Sequence, residues 1–231
     1  MLKITHYGHT SFVLESKETS VLLNPGIWDG TKTVPDNLDV RLIMATSHLD
    51  DALGNAVAIA ANSKSWILGN TKTIERAKEQ GGKAWLLHEL KPETPYEIPG
   101  LRLTPYPLQR GGSGTGQTVE NLGFYIEMGH MRVGYLGDTL IRGPFGQLEL
   151  DILITPIGGG EVFQVKDAVA LCTDSKPKLA IPMRWSAEDQ PTKFVRYVEQ
   201  FVEGCTPLRM EAGQYVEAQW AAGHEFKYQM S

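Results

Sequence analysis

Twice along this chain a group of strand-like runs gives way to alternating strands and helices, and that order narrows the fold more than any other feature. Leu2 to Tyr7 alternates apolar and polar residues, Ser11 to Leu14 continues the pattern, and Val21 to Leu23 is an apolar run stopped by Asn24-Pro25-Gly26. Beyond a loop from Gly26 to Asp39, Val40 to Ala45 reads as a buried strand and Leu53 to Ala61 as a buried helix. Trp66 to Leu68 then reads as a strand, Thr71 to Glu79 as a helix, and Ala84 to Leu87 as another strand. The second half opens with a strand-like Gly100 to Tyr106, a Gly-rich loop from Gly111 to Gly116, and a hairpin turning at Gly129-His130. The strand Ile152 to Thr155, the helix Val165 to Thr173, the strand Leu179 to Pro182 and the helix Pro191 to Val202 complete it. Strand, helix, strand in succession calls for parallel pairing with helices laid on the sheet. Two such halves, mirrored, make an α/β fold of four layers, an αβ/βα sandwich. Composition shifts nowhere, so residues 1–231 read as a single domain.

The overall balance excludes several classes of partner. The formal net charge is −5, and Lys and Arg are scattered rather than bunched, which argues against nucleic acid and against an anionic membrane surface. No apolar stretch approaches the ~20 residues that a membrane span requires. The opening MLKITHYGHTSF lacks the apolar core of a signal peptide, so a cytoplasmic protein is expected. Cys172 and Cys205 have no zinc-knuckle spacing and read as buried thiols.

The chemically informative segment is Ala45-Thr46-Ser47-His48-Leu49-Asp50-Asp51-Ala52-Leu53-Gly54, which joins a buried strand to a helix, a usual place for a site in α/β proteins. Around it stand Gly8-His9-Thr10-Ser11-Phe12, Val21-Leu22-Leu23-Asn24-Pro25, Leu122-Gly123-Phe124, Tyr135-Leu136-Gly137-Asp138-Thr139, Asp151-Ile152-Leu153-Ile154-Thr155-Pro156 and Leu179-Ala180-Ile181-Pro182-Met183. In this order, and covering nearly the whole chain, these pieces resemble the metallo-β-lactamase superfamily. The branch they resemble is that of small metal-dependent hydrolases akin to ascorbate-6-phosphate lactonase. In that family a His-x-His-x-Asp-His loop after a buried strand helps to gather two metal ions.

Carried over residue by residue, the resemblance implies a degenerate metal site. Anchored on Leu53-Gly54, the family motif falls on Ser47, Leu49, Asp51 and Ala52, where only the Asp survives. Shifted by one, it falls on Thr46, His48, Asp50 and Asp51. The next family histidine corresponds to Arg110, or to Gln109 if the loop slips; the bridging carboxylate is Asp138; the last histidine is Arg184. Leucine and alanine have no donor atom, and a guanidinium has no lone pair to give a metal. No cofactor is therefore expected, and one or both of Arg110 and Arg184 are expected to stand in for the metal charge by pairing with Asp138 and Asp51.

Three functions remain in play. The first is an altered member of the fold that binds a small anion, such as a phosphate or carboxylate, in an arginine-containing cavity. The second is a residual hydrolase of a phosphoester, lactone or amide, using one divalent ion (Zn, Mn or Fe) held by His48, Asp50 or Asp51, and Asp138, with His9 assisting. The third is a scaffold without catalysis, for instance a homo-oligomer subunit. Beside these stands a plain reading, in which His48, Asp50 and Asp51 only cap a helix starting near Ala52. His9 reads equally as a wall of the site or as a hydrogen-bonded strand histidine, and Trp185 as a packing residue. The loop from Gly111 to Gly116 is expected to be mobile beside the cavity mouth.

Overall fold

The computed structural model describes residues 1–112 and 116–231. In the first half the strands are β1 (Leu2–Gly8), β2 (Ser11–Glu15), β3 (Ser20–Leu23), the short β4 (Ile27–Trp28) and β5 (Thr31–Lys32), and β6 (Leu42–Met44). Helix α1 (Ala56–Ser63), strand β7 (Trp66–Gly69), helix α2 (Thr71–Glu79) and strand β8 (Leu87–Glu89) follow. The second half contributes β9 (Tyr96–Ile98), β10 (Leu101–Gly111), β11 (Thr118–Met128), β12 (Met131–Tyr135) and β13 (Ile152–Pro156). It ends with α3 (Val165–Ser175), β14 (Leu179–Met183), α4 (Asp189–Phe201), β15 (Thr206–Pro207), β16 (Tyr215–Ala221) and β17 (Glu225–Met230).

These strands form two large sheets. One runs in the order β17-β16-β1-β2-β3-β6-β7-β8 and the other in the order β15-β14-β13-β12-β11-β10-β9. Each is antiparallel across its hairpins, as between β1 and β2 or β10 and β11, and parallel across its helical crossovers, as between β6 and β7 or β13 and β14. Strands β3 and β6 are also parallel, joined through the loop that carries β4 and β5. The inner faces share one core, in which Leu2, Ile4, Phe12 and Met44 meet Leu103, Phe124, Ile126 and Ile154. On the outer face of the first sheet Ala56, Ile59 and Ala77 of the helices pack against Leu22, Ile43 and Ile67. Outside the second, Ala168, Leu171, Phe194 and Val198 cover Leu153 and Ala180. Helices, sheet, sheet, helices: the four expected layers are present.

Local differences have local causes. Helix α1 starts at Ala56 rather than Leu53, behind an Asn55 that makes no side-chain cap. The segment before it is instead pinned by backbone bonds, Ile27 N–H to Asp50 O (2.8 Å) and Asn55 N–H to Pro25 O (3.1 Å). The expected strand at Ala84 is a 3-10 turn through Leu86 before β8 begins. Strand β10 runs on to Gly111 through Pro105 and Pro107, and the Gly-rich loop that follows lies partly outside the described residues. The hairpin of β16 and β17 has no counterpart among the expected elements; it returns to the first sheet and pairs with β1, Leu2 opposite Ala218.

Candidate functional site

The carboxyl ends of β1, β6, β12 and β14 converge on one end of the sandwich, where open α/β sheets present their sites. From β6 the chain enters the segment 46–55, which delivers Asp51. Its path needs Gly54, at φ +43, because a Cβ there would lie 2.0 Å from Pro25 O. Thr10 Oγ1 also donates to Asp51 O, at 3.3 Å. Asp138 follows β12 through Gly137, at φ +58, where a Cβ would collide with the Thr46 side chain. Arg110 stands near the end of β10, and Arg184 directly follows β14. His9 follows β1, and both His9 and Arg184 are non-glycine residues at left-handed φ, 52° and 51°. Such backbone costs roughly 1–3 kcal/mol per residue and tends to cluster at functional sites.

The side chains form one chain of ion pairs. Arg110 grips Asp51 with both terminal nitrogens, Nη1 to Oδ1 at 2.7 Å and Nη2 to Oδ2 at 2.8 Å. Its Nη1 also lies 3.0 Å from Oδ2 of Asp138, and the same oxygen accepts a 2.6 Å bond from Nε of Arg184. Arg110 is 1% exposed, Asp138 3%, Arg184 11% and Asp51 12%. Burial works against the charge of Arg110, but Asp138 and Asp51 outweigh it and hold its pKa above the usual value. Asp138 is pushed up to about 6, chiefly by burial, which the two arginines only partly offset. His9 is pushed down to about 3, first by burial and then by the Arg184 charge, so its ring is neutral at pH 7. That ring stacks on Trp28, with centroids 3.9 Å apart, and the Arg184 guanidinium carbon lies 5.2 Å from the Trp28 ring.

Not every candidate residue reaches this group. His48, Leu49 and Asp50 line a separate hollow of about 430 Å³ against α2, with Lys72, Glu75, Arg76 and Glu79. His48 there has its pKa lowered, first by burial and then by Lys72. Ser47 is fully buried and its Oγ has no partner among the described residues; Ala52 is buried without a donor to offer. The helix-cap reading of His48, Asp50 and Asp51 is corrected: the cap position is Asn55, and the Asp51 carboxylate is engaged by Arg110. Trp185 packs beside the outer core of the second sheet. Among the described residues no three His, Cys, Asp or Glu side chains are grouped as a metal would require, and the unpartnered buried oxygen of the ion-paired group is Asp138 Oδ1. Trp28 is the site residue that sequence reasoning misses. Its signal is the Asp29-Gly30 pair, a two-residue hairpin turn with both residues at positive φ, which joins β4 to β5 and holds the indole against His9 and Arg184.

The fold and this convergence of strand ends match a known class. Residues 3–184 match the family model described as the β-lactamase superfamily domain. A UPF0173 metal-dependent hydrolase of Carboxydothermus hydrogenoformans is 30% identical over 198 residues, which cover 80% of this chain and 85% of that one. Among solved structures, Igni18, a metallo hydrolase from Ignicoccus hospitalis, superposes with a TM-score of 0.77 at 18% identity, covering 99% of this chain and 98% of the other. The metallo-β-lactamase fold protein YhfI from Bacillus subtilis gives a TM-score of 0.75 at 12% identity, over 93% of this chain and 98% of that one. The chain belongs to the β-lactamase superfamily and, within it, to the family of the UPF0173 metal-dependent hydrolases.

Proposed function

We propose that this member has exchanged the metal charge of its family for two buried arginines, and that it binds a small anion rather than activating water on a metal. The carrying observation is the state of the two carboxylates that would have to be ligands. Both oxygens of Asp51 and one of Asp138 accept hydrogen bonds from Arg110 and Arg184. A cation at that place would displace a guanidinium or sit against one, and guanidinium and metal compete for the same lone pairs. The rest of the family's donor set does not fit either. Leu49 and Ala52 offer no donor atom, and His48 lies in the hollow against α2. The chemistry of the site therefore rests on its arginines.

What the arrangement can do is recognise charge. Arg110 is fully engaged, whereas Arg184 uses only Nε among the described residues, which leaves its two terminal nitrogens for a ligand. The test is elemental analysis of protein purified without chelator and then dialysed against zinc, manganese and iron. Less than about a tenth of an equivalent of each metal is the expected result. Near-stoichiometric retention of one metal, lost on Asp138→Asn, would overturn the reading in favour of a mononuclear hydrolase.

A further inference from the structure

We infer that the ligand of this site is a planar monocarboxylate, its carboxylate held by the terminal nitrogens of Arg184 and its flat carbon body laid against Trp28. This rests on the metal-free reading above and goes beyond it by naming the ligand chemistry. The guanidinium of Arg184 is tied to Asp138 through Nε alone, and its two terminal nitrogens are not among the polar atoms sealed from solvent. Those two nitrogens form a fork whose spacing suits the two oxygens of one carboxylate.

Charge selects further. Two arginines face two aspartates, and the charge of Glu161 also reaches Arg110, so the group has no surplus positive charge before a ligand arrives. His9 adds no positive charge, because it is held neutral. A single negative charge facing one free guanidinium edge can be matched, whereas a dianion would bring a second charge with Asp51 and Asp138 close by. The neighbouring surface selects for shape. Trp28 is 41% exposed although His9 stacks on its ring at 3.9 Å and the Arg184 guanidinium carbon lies over the ring at 5.2 Å, so the indole surface left open adjoins that guanidinium. An exposed indole next to a cationic fork offers dispersion and apolar burial to a flat ring, and nothing comparable to a hydrated phosphate.

The experiment is calorimetric titration of the full chain with benzoate, acetate, benzamide and inorganic phosphate, on samples whose metal content is measured in parallel. Benzoate is expected to bind at least about tenfold more tightly than acetate or phosphate, and benzamide not measurably. Trp28→Ala, on a surface hairpin, should bring benzoate down to the level of acetate, and Arg184→Gln should abolish both. Arg184→Lys keeps the charge but loses the fork, and should lose most of the benzoate affinity even if the glutamine variant fails to fold. Equal binding of benzamide and benzoate, of phosphate and benzoate, or no binding of any carboxylate to metal-free protein would overturn the inference. A stoichiometric metal in the same samples would instead overturn the reading beneath it.

Discussion

Each end of the sandwich carries an arginine between two carboxylates, and the two groups differ in what surrounds them and what they join. At the far end Arg132 meets Asp151 through Nη2 at 2.9 Å and Nε at 3.2 Å, and also contacts Glu149. Its side chain is 36% exposed, Glu149 is 84% exposed, and all three residues belong to the second sheet or the turn before β13. At the candidate site Arg110 is sealed, and it ties Asp51, in the segment after β6 of the first sheet, to Asp138, after β12 of the second. The same chemistry is thus a brace within one sheet at one end, its arginine and Glu149 solvated around a buried Asp151, and a dry clamp between sheets at the other. In a dry setting each charge must be matched by geometry, because water cannot do it, and that is why removing one member there is costly.

The comparison can be broken most forcefully at Arg110. Arg110→Ala strands the Asp51 carboxylate, leaves Asp138 with Arg184 alone, and should cost ~3–5 kcal/mol by denaturant titration. Arg110→Met combined with Asp51→Leu should recover most of that loss, since Asp138 keeps Arg184; no recovery would show that shape rather than charge sets the cost. Arg184→Ala removes one of two bonds to Asp138 and should cost ~1–3 kcal/mol in the same assay. Arg132→Ala leaves the buried Asp151 with the backbone N–H of residue 132, so it should cost less than the Arg110 loss, ~1–3 kcal/mol, and respond more to concentrated NaCl, because Arg132 itself is 36% exposed. The finest contrast is with pH. The folded pKa of His9, about 3, lies below its unfolded value of 6.5, so its contribution is complete above pH 6.5 and is lost as pH falls toward 3. Asp138, raised to about 6, acts in the opposite sense and stabilises as pH falls from 6 toward 4. His9→Asn, which tolerates the left-handed backbone, should therefore gain stability relative to the wild type as pH is lowered from 6.5 to 4. A constant difference between the two across that range would place the His9 ring in a more polar setting than the structure does.

Much of the fold is legible in the sequence because its signals are local. The apolar run of Val21 to Leu23, the Gly129-His130 turn and the small-residue helix near Ala56 each declare an element without reference to the rest. The β16–β17 hairpin carries a local signal too, with Val216, Ala218 and Trp220 alternating before Gly223. Its place beside β1, however, is a long-range fact that no local pattern carries. The site divides in the same way. Arg110, Asp138 and Arg184 are reached through the order of motifs along the chain, but which oxygens they share is set by two sheets meeting. His48 stands three residues before Asp51 and separates from it through the path by Pro25 and Gly54, which fixes which side chain turns inward.

The pairing of β1 with β16 also sets an order of events during synthesis. The ribosome releases Leu2 roughly two hundred residues before its partner Ala218. Through that interval β1 has β2 on one side and an open row of backbone donors and acceptors on the other, the kind of edge that recruits a neighbouring chain. Closing it late adds contacts of the longest sequence separation, which slows folding more than it weakens the finished protein. A nascent chain of this design gains from a holdase, or from slow emergence, and crowding several on one message would favour aggregation through that edge.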